Sequence, residues 1–268
     1  MSAPALVLLA HGSTRPVVSE VIREMRAHMQ SWHPNIGVHI AFIDHEHPTA
    51  MRVLGRLARR GVDEAVLVPL NLANLFSTSP RIDEVVTEAA EQFPELSLRI
   101  ARPVGPEASL LTLVDQRLRE ALAECHATEL DGLVLATEES TDSRSHGLLA
   151  RRARQWSLHH KLPVVIASGS VDSAVAQLRK EGRRHVAVGA LFLTAYEAYE
   201  QCRAEAQEAG ATAIGAPIGF ASEVCDLVFG RYSVAAMDLV DFDFITDDET
   251  TTEDDEAPAG SRLTVVGA

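Results

Sequence analysis

The segment that most constrains the fold lies at the start of the chain, where Leu6–Ala10 is apolar at every position. A strand without apolar–polar alternation is typical of a parallel sheet that helices cover on both faces. His11-Gly12-Ser13 then turns away from the strand, and Pro16 suits the first position of a helix. His11 is therefore predicted at the carboxyl end of a central strand. Ligands bind at this edge of open α/β sheets, because the loops converge there and the following helices point free N–H groups towards it.

Apolar strands and amphipathic helices alternate along the next part of the chain. Val18, Ile22, Met25 and Met29 recur at helical spacing and predict a helix over residues 16–32. Further strands are predicted at residues 38–43, 65–72 and 98–101, and further helices at residues 48–60, from residue 80 and at residues 107–125. This alternation predicts an α/β fold with a doubly wound parallel sheet.

The same pattern then starts again after Asp131. Residues 133–137 align with residues 7–11, and the turn at residues 102–107 is echoed at residues 216–221. The duplication predicts two doubly wound halves, residues 1–126 and residues 127–237. In this alignment Thr137-Glu138-Glu139-Ser140 stands where the first half has His11-Gly12-Ser13. The first half is therefore expected to carry the site and the second, degenerate half to support it.

Charge is distributed unevenly along the chain. The formal net charge is −14, and ten acidic residues, but only Arg262 among the basic ones, follow Ser233. We expect the acidic segment 238–268 to be a disordered tail, because charge repulsion opposes compaction there. No basic stripe is available to neutralise phosphates, so nucleic acid is not expected as a partner.

Two further features bear on where the protein works. The apolar run Ala5–Ala10 is too short for the core of a signal peptide and lacks a preceding basic segment, and no run is long enough to span a membrane. Cys125, Cys202 and Cys225 form no C-x-x-C pair, which argues against a disulfide framework and against a structural zinc site. We expect a cytoplasmic protein with reduced thiols and no membrane contact.

Four motifs follow one another in a fixed order. They are Leu-Leu-Ala-His-Gly-Ser-Thr-Arg-Pro at residues 8–16, Phe-Ile-Asp at residues 42–44 with Pro48-Thr49, Val-Pro-Leu at residues 68–70, and the duplicated second half. In this order, over about residues 5 to 233, they resemble the class II sirohydrochlorin chelatases of the CbiX/SirB type. The resemblance implies a lyase that inserts Fe²⁺ or Co²⁺ into sirohydrochlorin, a tetrapyrrole on the way to sirohaem and cobalamin, without an organic cofactor. It also implies that one chain holds both halves and works as a monomer.

The resemblance assigns His11 as a metal ligand and as a base for pyrrole N–H protons. It makes Asp44, the acidic residue of the neighbouring loop, the second catalytic residue. Neutral imidazole binds borderline divalent ions, and its unperturbed pKa of about 6.5 lets it accept a proton near neutral pH. Metal insertion expels two protons, so a base beside an open coordination position is required. On position alone, the alternative for His11 is a loop histidine that bonds only to neighbouring backbone.

One position departs from the family pattern. The second histidine of the family stands two residues before an Arg-x-Asp, here residues 81–83, and this chain has Ser79 there. Serine cannot replace imidazole as a ligand of a borderline metal. His45 and His47 follow the neighbouring strand, so we hypothesise that one of them supplies the missing metal-binding nitrogen. The alternative is that residues 44–47 form only a solvated polar loop.

Sirohydrochlorin is a polycarboxylate, so groups that bind carboxylates are expected around the site. Ser13, Arg15 and Arg81 follow strand ends beside helix N-termini and are predicted to bind the substrate. The alternative for the two arginines is a surface salt bridge. The remaining histidines are expected to be structural: His28, His33, His39, His126, His146, His159, His160 and His185.

Three other functions are alternatives to chelation. Loss of the second histidine makes a catalytically degenerate relative, which binds tetrapyrrole or metal without turnover, the main alternative. A histidine phosphatase would need an arginine just before its nucleophilic histidine, where this chain has Ala10. An α/β-hydrolase is disfavoured because the sequence contains no G-x-S-x-G.

Overall fold

The computed structural model describes residues 3–44, 46–140 and 142–248, with residues 240–248 described as backbone only. The first half runs through β1 (Ala5–Ala10), α1 (Pro16–Trp32), β2 (Val38–Phe42), α2 (Ala50–Ala58), β3 (Glu64–Pro69), α3 (Pro80–Gln92), β4 (Ser97–Ile100) and α4 (Leu110–Glu124). The second half runs through β5 (Gly132–Thr137), α5 (Ser143–His160), β6 (Val164–Ser168), α6 (Val171–Lys180), β7 (Val186–Leu191), α7 (Glu197–Glu208), β8 (Ala213–Ile214) and α8 (Ser222–Asp248).

Both sheets are parallel and share one strand order, β2-β1-β3-β4 in the first half and β6-β5-β7-β8 in the second. β1 and β5 each pair with two neighbours and are buried along their whole length. Burial on both faces explains why these strands show no apolar–polar alternation. The predicted α/β fold with two duplicated, doubly wound halves is therefore confirmed.

The repeat extends to the turns. Gly105 and Gly219 both have positive φ angles, +74° and +72°, a conformation that glycine adopts at little cost. The Gly105 N–H donates to Asn71 O and the Gly219 N–H donates to Leu193 O, each over 2.9 Å. The echo between residues 102–107 and 216–221 is thus a repeated tight turn that reaches the loop after the third strand of its own half.

The last helix of each half crosses to the other half. α4 packs on β7 and β8 of the second sheet, whereas α8 packs on β3 and β4 of the first sheet and on α1. Tyr232 of α8 donates its hydroxyl hydrogen to Pro4 O over 2.7 Å, and Arg231 donates to the carbonyl of Val104. One apolar core therefore runs between the sheets and includes Leu6, Leu8, Val114, Leu133, Leu135 and Val228.

Some element boundaries differ from the sequence-based prediction, and local hydrogen bonds explain two of them. β3 ends at Pro69, because Asn71 Oδ1 accepts hydrogen bonds from the N–H groups of Ala73 and Asn74 and turns the chain. α2 begins at Ala50, because the Thr49 side chain accepts from the Arg52 N–H and caps the helix.

The last described helix extends further along the chain than expected. α8 continues to Asp248, so residues 238–248 of the expected tail belong to a helix. Residues 249–268, the rest of that segment, lie outside the described residues. No helix in the described ranges has the length and apolarity needed to cross a bilayer.

Candidate active site

His11 is the first residue after β1, and its side chain reaches the loop after β2. Its Nδ1 lies 3.2 Å from Asp44 Oδ2, and the Gly12 N–H donates to Asp44 Oδ1 over 2.8 Å. The pairing of β1 with β2 continues to Ala10 and Phe42, so the two loops leave the sheet side by side. The structure therefore brings together His11 and Asp44, the two residues to which the family resemblance assigns catalysis.

The close approach of these loops depends on Gly12. A Cβ atom added to Gly12 would lie 2.1 Å from the Asp44 carbonyl oxygen and 2.7 Å from Glu46 Cβ. A side chain at this position would push the loop after β2 away from β1. The His-Gly dipeptide is thus explained by packing as well as by chemistry, because the glycine makes room for the contact between His11 and Asp44.

The Asp44 carboxylate orients the imidazole. Because a carboxylate can only accept, the hydrogen bond places the His11 proton on Nδ1 and leaves the lone pair on Nε2. No hydrogen bond within the described part of the chain engages His11 Nε2. The side chain of His11 is 35% exposed and that of Asp44 37%. An oriented and accessible imidazole nitrogen of this kind can bind a borderline divalent ion or a proton.

Glu138 of the second half lies opposite His11 and lines the same cavities. Its Oε2 accepts a 2.7 Å hydrogen bond from Asn71 Nδ2, and the Tyr196 hydroxyl donates to the same carboxylate. Removal from water raises the pKa of Glu138, although His11 and the two hydrogen bonds act in the opposite direction. Burial beside Glu138 also raises the pKa of Tyr196, so the phenol keeps its proton and remains a donor.

In the repeat, Glu138 is the counterpart of His11. β1 ends at Ala10 and β5 ends at Thr137, so the first residue beyond the strand is His11 in one half and Glu138 in the other. The sequence-based alignment of Thr137 with His11 is therefore wrong by one residue. The apolar residues of the two segments can be aligned in two ways that differ by one position. The observed ends of β1 and β5 select the alignment of Ala10 with Thr137.

Two cavities flank His11 and Glu138. The smaller, of about 170 Å³, extends towards Asn71 and the loop residues 77–79. The larger, of about 410 Å³, extends towards Phe192 and Tyr196. The Tyr196 ring lies nearly parallel to the imidazole of His11, with ring centroids 5.8 Å apart and an interplanar angle of 7°. The His11–Glu138 pair is thus accessible from a cleft that extends to both sides of it.

Ser13 and Arg15, which the sequence analysis assigns to substrate binding, contact the second half. Ser13 is buried, and its hydroxyl donates to Glu197 Oε1 over 2.9 Å. The Arg15 guanidinium pairs with Glu200 of α7. Both contacts hold the loop after β1 against α7. A substrate role for these two residues stays a prediction.

Arg81, the third residue predicted to bind substrate, lies in the first turn of α3. Its guanidinium pairs with Glu84 over 3.0 Å, and its side chain is 62% exposed. The next residue, Ile82, lines the smaller cavity. Arg81 is thus accessible to solvent near the cleft.

Ser79 occupies the position of the missing second histidine. Ser79 lines the smaller cavity, and its buried hydroxyl has no hydrogen-bond partner there. His47 is exposed, and His45 lies outside the described residues. Among the residues described, His11, Asp44 and His47 do not form a three-ligand group within metal-binding reach. That His45 or His47 supplies the missing nitrogen stays a prediction.

Glu138, Asn71 and Tyr196 were not among the site residues predicted from the sequence. For Glu138 a signal was present, because the repeat places it one residue after the strand that corresponds to β1. For Asn71 and Tyr196 no local pattern pointed to the site. Their convergence on Glu138 depends on how the two sheets face each other, which only the three-dimensional packing determines.

Comparisons with known proteins agree with this architecture. Residues 5–121 match the CbiX family model. A sirohydrochlorin cobaltochelatase of Priestia megaterium is 25% identical over 197 residues, which take in 70% of this chain and 64% of that protein, or less than two thirds of its length. A sirohydrochlorin cobaltochelatase of Methanococcoides burtonii is 26% identical over 125 residues, 44% of this chain and 95% of that protein.

The fold over most of the chain also has a solved counterpart. The structure of the sirohydrochlorin chelatase SirB from Bacillus subtilis subspecies spizizenii, in complex with cobalt, superposes with a TM-score of 0.70 at 16% identity. The superposition covers 88% of this chain and 96% of that one. The first half thus matches the CbiX family model, the relatives in sequence carry one name, and the duplicated fold over both halves is that of a solved SirB chelatase; in these respects the chain is similar to the class II chelatases of the CbiX/SirB type.

Proposed function

We propose that this protein is a sirohydrochlorin chelatase that inserts Co²⁺ or Fe²⁺ into the tetrapyrrole. The observation that carries the proposal is the His11–Asp44 pair. Asp44 holds Nδ1, so Nε2 is presented to the cleft opposite Glu138. The names of the family relatives support the substrate class. The first half supplies the metal-binding nitrogen, and the second half supplies the facing carboxylate.

The chemistry needs one group that delivers the metal and groups that take up two protons. His11 Nε2 binds the ion, with Asp44 behind it to keep the imidazole oriented. Insertion replaces two pyrrole N–H bonds with metal–nitrogen bonds. Glu138 accepts the first proton, and His11 Nε2 accepts the second once it has passed its ion to the ring. Solvent then removes both protons from the cleft.

The substrate is a polycarboxylate, and several cations surround the cleft. Arg81 is exposed in the first turn of α3. Phe76 is half-exposed and lies in the loop that borders the smaller cavity. The guanidinium carbons of Arg102 and Arg144 each lie 5.8 Å from the centre of its ring. Guanidinium groups bind carboxylates through two parallel hydrogen bonds. These arginines, with Ser13 and Arg15 of the loop after β1, would hold the carboxylates at the rim of the macrocycle.

One chain contributes both walls of the cleft, so the proposed active unit is a monomer that needs no organic cofactor. His11 comes from the first half and Glu138 from the second. The hydrogen bond from Ser13 Oγ to Glu197 joins the two halves. Light scattering of the purified protein during size-exclusion chromatography should give the mass of one chain, 29.0 kDa. A dimer mass would contradict this part of the proposal.

The decisive experiment follows the absorption spectrum of anaerobic sirohydrochlorin with Co²⁺ and, separately, with Fe²⁺. Wild type is compared with His11→Ala and with His146→Ala, which removes an exposed histidine from α5. Wild type and His146→Ala should accelerate insertion, and His11→Ala should give the uncatalysed rate. The metal with the higher rate identifies the physiological reaction. Equal rates for wild type and the uncatalysed control would reject the chelatase.

A second candidate function is favoured by Ser79, which stands where the family has its second histidine. A protein with one metal-binding imidazole could bind tetrapyrrole or metal without turnover. Saturable sirohydrochlorin binding with no rate above the uncatalysed insertion would support this candidate. Catalysis at a rate that depends on His11 would exclude it.

A further inference from the structure

A second cluster of potential metal ligands lies between α4 and α5. Asp115 of α4 and His159 and His160 of α5 each offer one ligand atom, and these atoms lie within 4.8 Å of one another. Asp115 and His160 are partly buried, and His159 is exposed. Over the described ranges, no other three histidine, cysteine, aspartate or glutamate side chains approach one another in this way.

Neighbouring side chains orient the Asp115 carboxylate. Arg119 Nε donates to Asp115 Oδ2 over 2.7 Å, which leaves Oδ1 directed at His160. The indole N–H of Trp156 lies 3.4 Å from the same Oδ1. Hydrogen bonds of this kind hold ligating carboxylates in place in metal sites.

The contact between His160 and Asp115 is not an ordinary hydrogen bond. His160 Nε2 lies 2.5 Å from Asp115 Oδ1, yet the geometry is not that of a hydrogen bond, and Nε2 is buried without any other partner among the described residues. A metal ion about 2.1 Å from each atom would separate the two by about 3 to 3.5 Å. A small rotation of the imidazole is enough to admit it.

The cluster also has space beside it. Asp115, His159 and Trp156 line a cavity of about 600 Å³. Because His159 is exposed, its ring can rotate towards the other two ligands. The cavity leaves room for water molecules to complete the coordination sphere of an ion.

We propose that Asp115, His159 and His160 form a second metal site that binds a borderline divalent ion such as Co²⁺ or Zn²⁺. Two imidazoles and one carboxylate suit ions of this class and are poor ligands for Mg²⁺ or Ca²⁺. Both histidines were predicted to be structural, because their aspartate partner lies far away in the sequence. The ion would join α4, which follows the first sheet in the chain, to α5, which follows the first strand of the second.

Trp156 provides a direct probe of this site. The chain has two tryptophans, and Trp32→Phe leaves the buried Trp156 as the only one. Co²⁺ is paramagnetic and quenches a nearby indole. Titration of the Trp32→Phe protein with Co²⁺ should therefore quench its fluorescence in a saturable manner. Adding His159→Ala should raise the apparent dissociation constant about 10-fold or more.

His146→Ala in the same Trp32→Phe background is the matched control, since it removes another exposed histidine of α5. This control should titrate like its parent. Absence of quenching, or the same titration curve for the His159→Ala and His146→Ala proteins, would overturn the proposal. Asp115→Asn tests the same site from α4 and should also weaken quenching. The readout does not involve sirohydrochlorin, so its result is independent of whether the protein is a chelatase.

Discussion

The Asn71 side-chain amide donates a 2.7 Å hydrogen bond to Glu138 Oε2, and this bond joins the loop after β3 to the end of β5. It fixes a carboxylate of the second half opposite His11 of the first. Tyr196 donates to the same carboxylate from the start of α7. The Glu138 carboxylate is thus held by hydrogen-bond donors from both halves. Such support keeps a functional group in one orientation.

Glu138→Gln should lower the insertion rate at saturating substrate about 100-fold, because the amide cannot accept a pyrrole proton. The metal concentration at half-maximal rate should change little, since His11 and Asp44 are intact. Stopped-flow absorption with sirohydrochlorin measures both. Glu208→Gln, at an exposed glutamate of α7, should behave as wild type. A Glu138→Gln protein with the full rate would remove Glu138 from the mechanism.

Asp44→Asn should act mainly on metal binding. The amide can still accept from the Gly12 N–H but no longer provides a negative charge behind His11 Nδ1. We expect the metal concentration at half-maximal rate to rise about 10-fold to 100-fold. Asp44→Glu restores the carboxylate and should recover part of the loss. If Asp44→Asn left the metal dependence unchanged, the imidazole would not need its carboxylate.

A double variant of His45 and His47 tests whether a histidine of residues 44–47 replaces the second histidine of the family. If either side chain binds the metal, the double variant His45→Ala/His47→Ala should lose about 10-fold or more of the metal affinity. Isothermal titration of the protein with Co²⁺, in an Asp115→Asn background that disables the proposed second site, measures this affinity. Unchanged affinity would show that residues 44–47 contribute only Asp44.

Asp142 should make folding stability depend on pH. It caps α5 by accepting from the Ser145 N–H over 2.7 Å, and it also accepts from the Ser77 hydroxyl over 2.9 Å. Partial burial opposes ionisation, but the hydrogen bonds from Ser145 and Ser77 outweigh it and lower the pKa of Asp142. The stabilisation is therefore complete above the unfolded-state pKa of about 3.9 and is lost as the pH falls through the lower folded-state value.

Asp142→Ala should accordingly reduce the free energy of unfolding by about 1 kcal/mol near neutral pH. The difference from wild type should shrink in acid, below the folded-state pKa. Urea unfolding at both pH values measures it, with Ser143→Ala at the exposed first position of α5 as control. A difference that is the same at both pH values would contradict the assigned role.

The three cysteines should differ sharply in reactivity. Burial raises the pKa of Cys202 and of Cys225 to about 12, whereas Cys125 is exposed. At pH 8 only about one in ten thousand of the buried thiols is ionised. Ellman's reagent should therefore modify one thiol quickly in the native protein and all three in denaturant. Cys125→Ser should remove the fast phase, and a fast phase that persists would disprove the assignment.

Much of the fold could be predicted from local pattern. The unalternating run at Leu6–Ala10 indicated a strand buried on both faces, and the apolar spacing from Val18 to Met29 gave α1 with the bounds that the structure has. The observed ends of some elements differ from the predicted ends where a side chain forms hydrogen bonds with nearby backbone groups. Asn71 ends β3 early in this way.

The sequence by itself determined the order of the strands and helices, the duplication and the position of His11 at a sheet edge. Each strand and helix follows from the apolar spacing of neighbouring residues, and the duplication follows from the recurrence of that spacing. Only the tertiary structure decided that α4 and α8 exchange sheets and that Glu138, Asn71 and Tyr196 meet opposite His11. The exchange buries apolar faces of both halves in one core, and this packing sets how the two strand ends face each other. Such contacts between residues far apart in sequence leave no local periodicity, so the facing carboxylate became visible only in the folded chain.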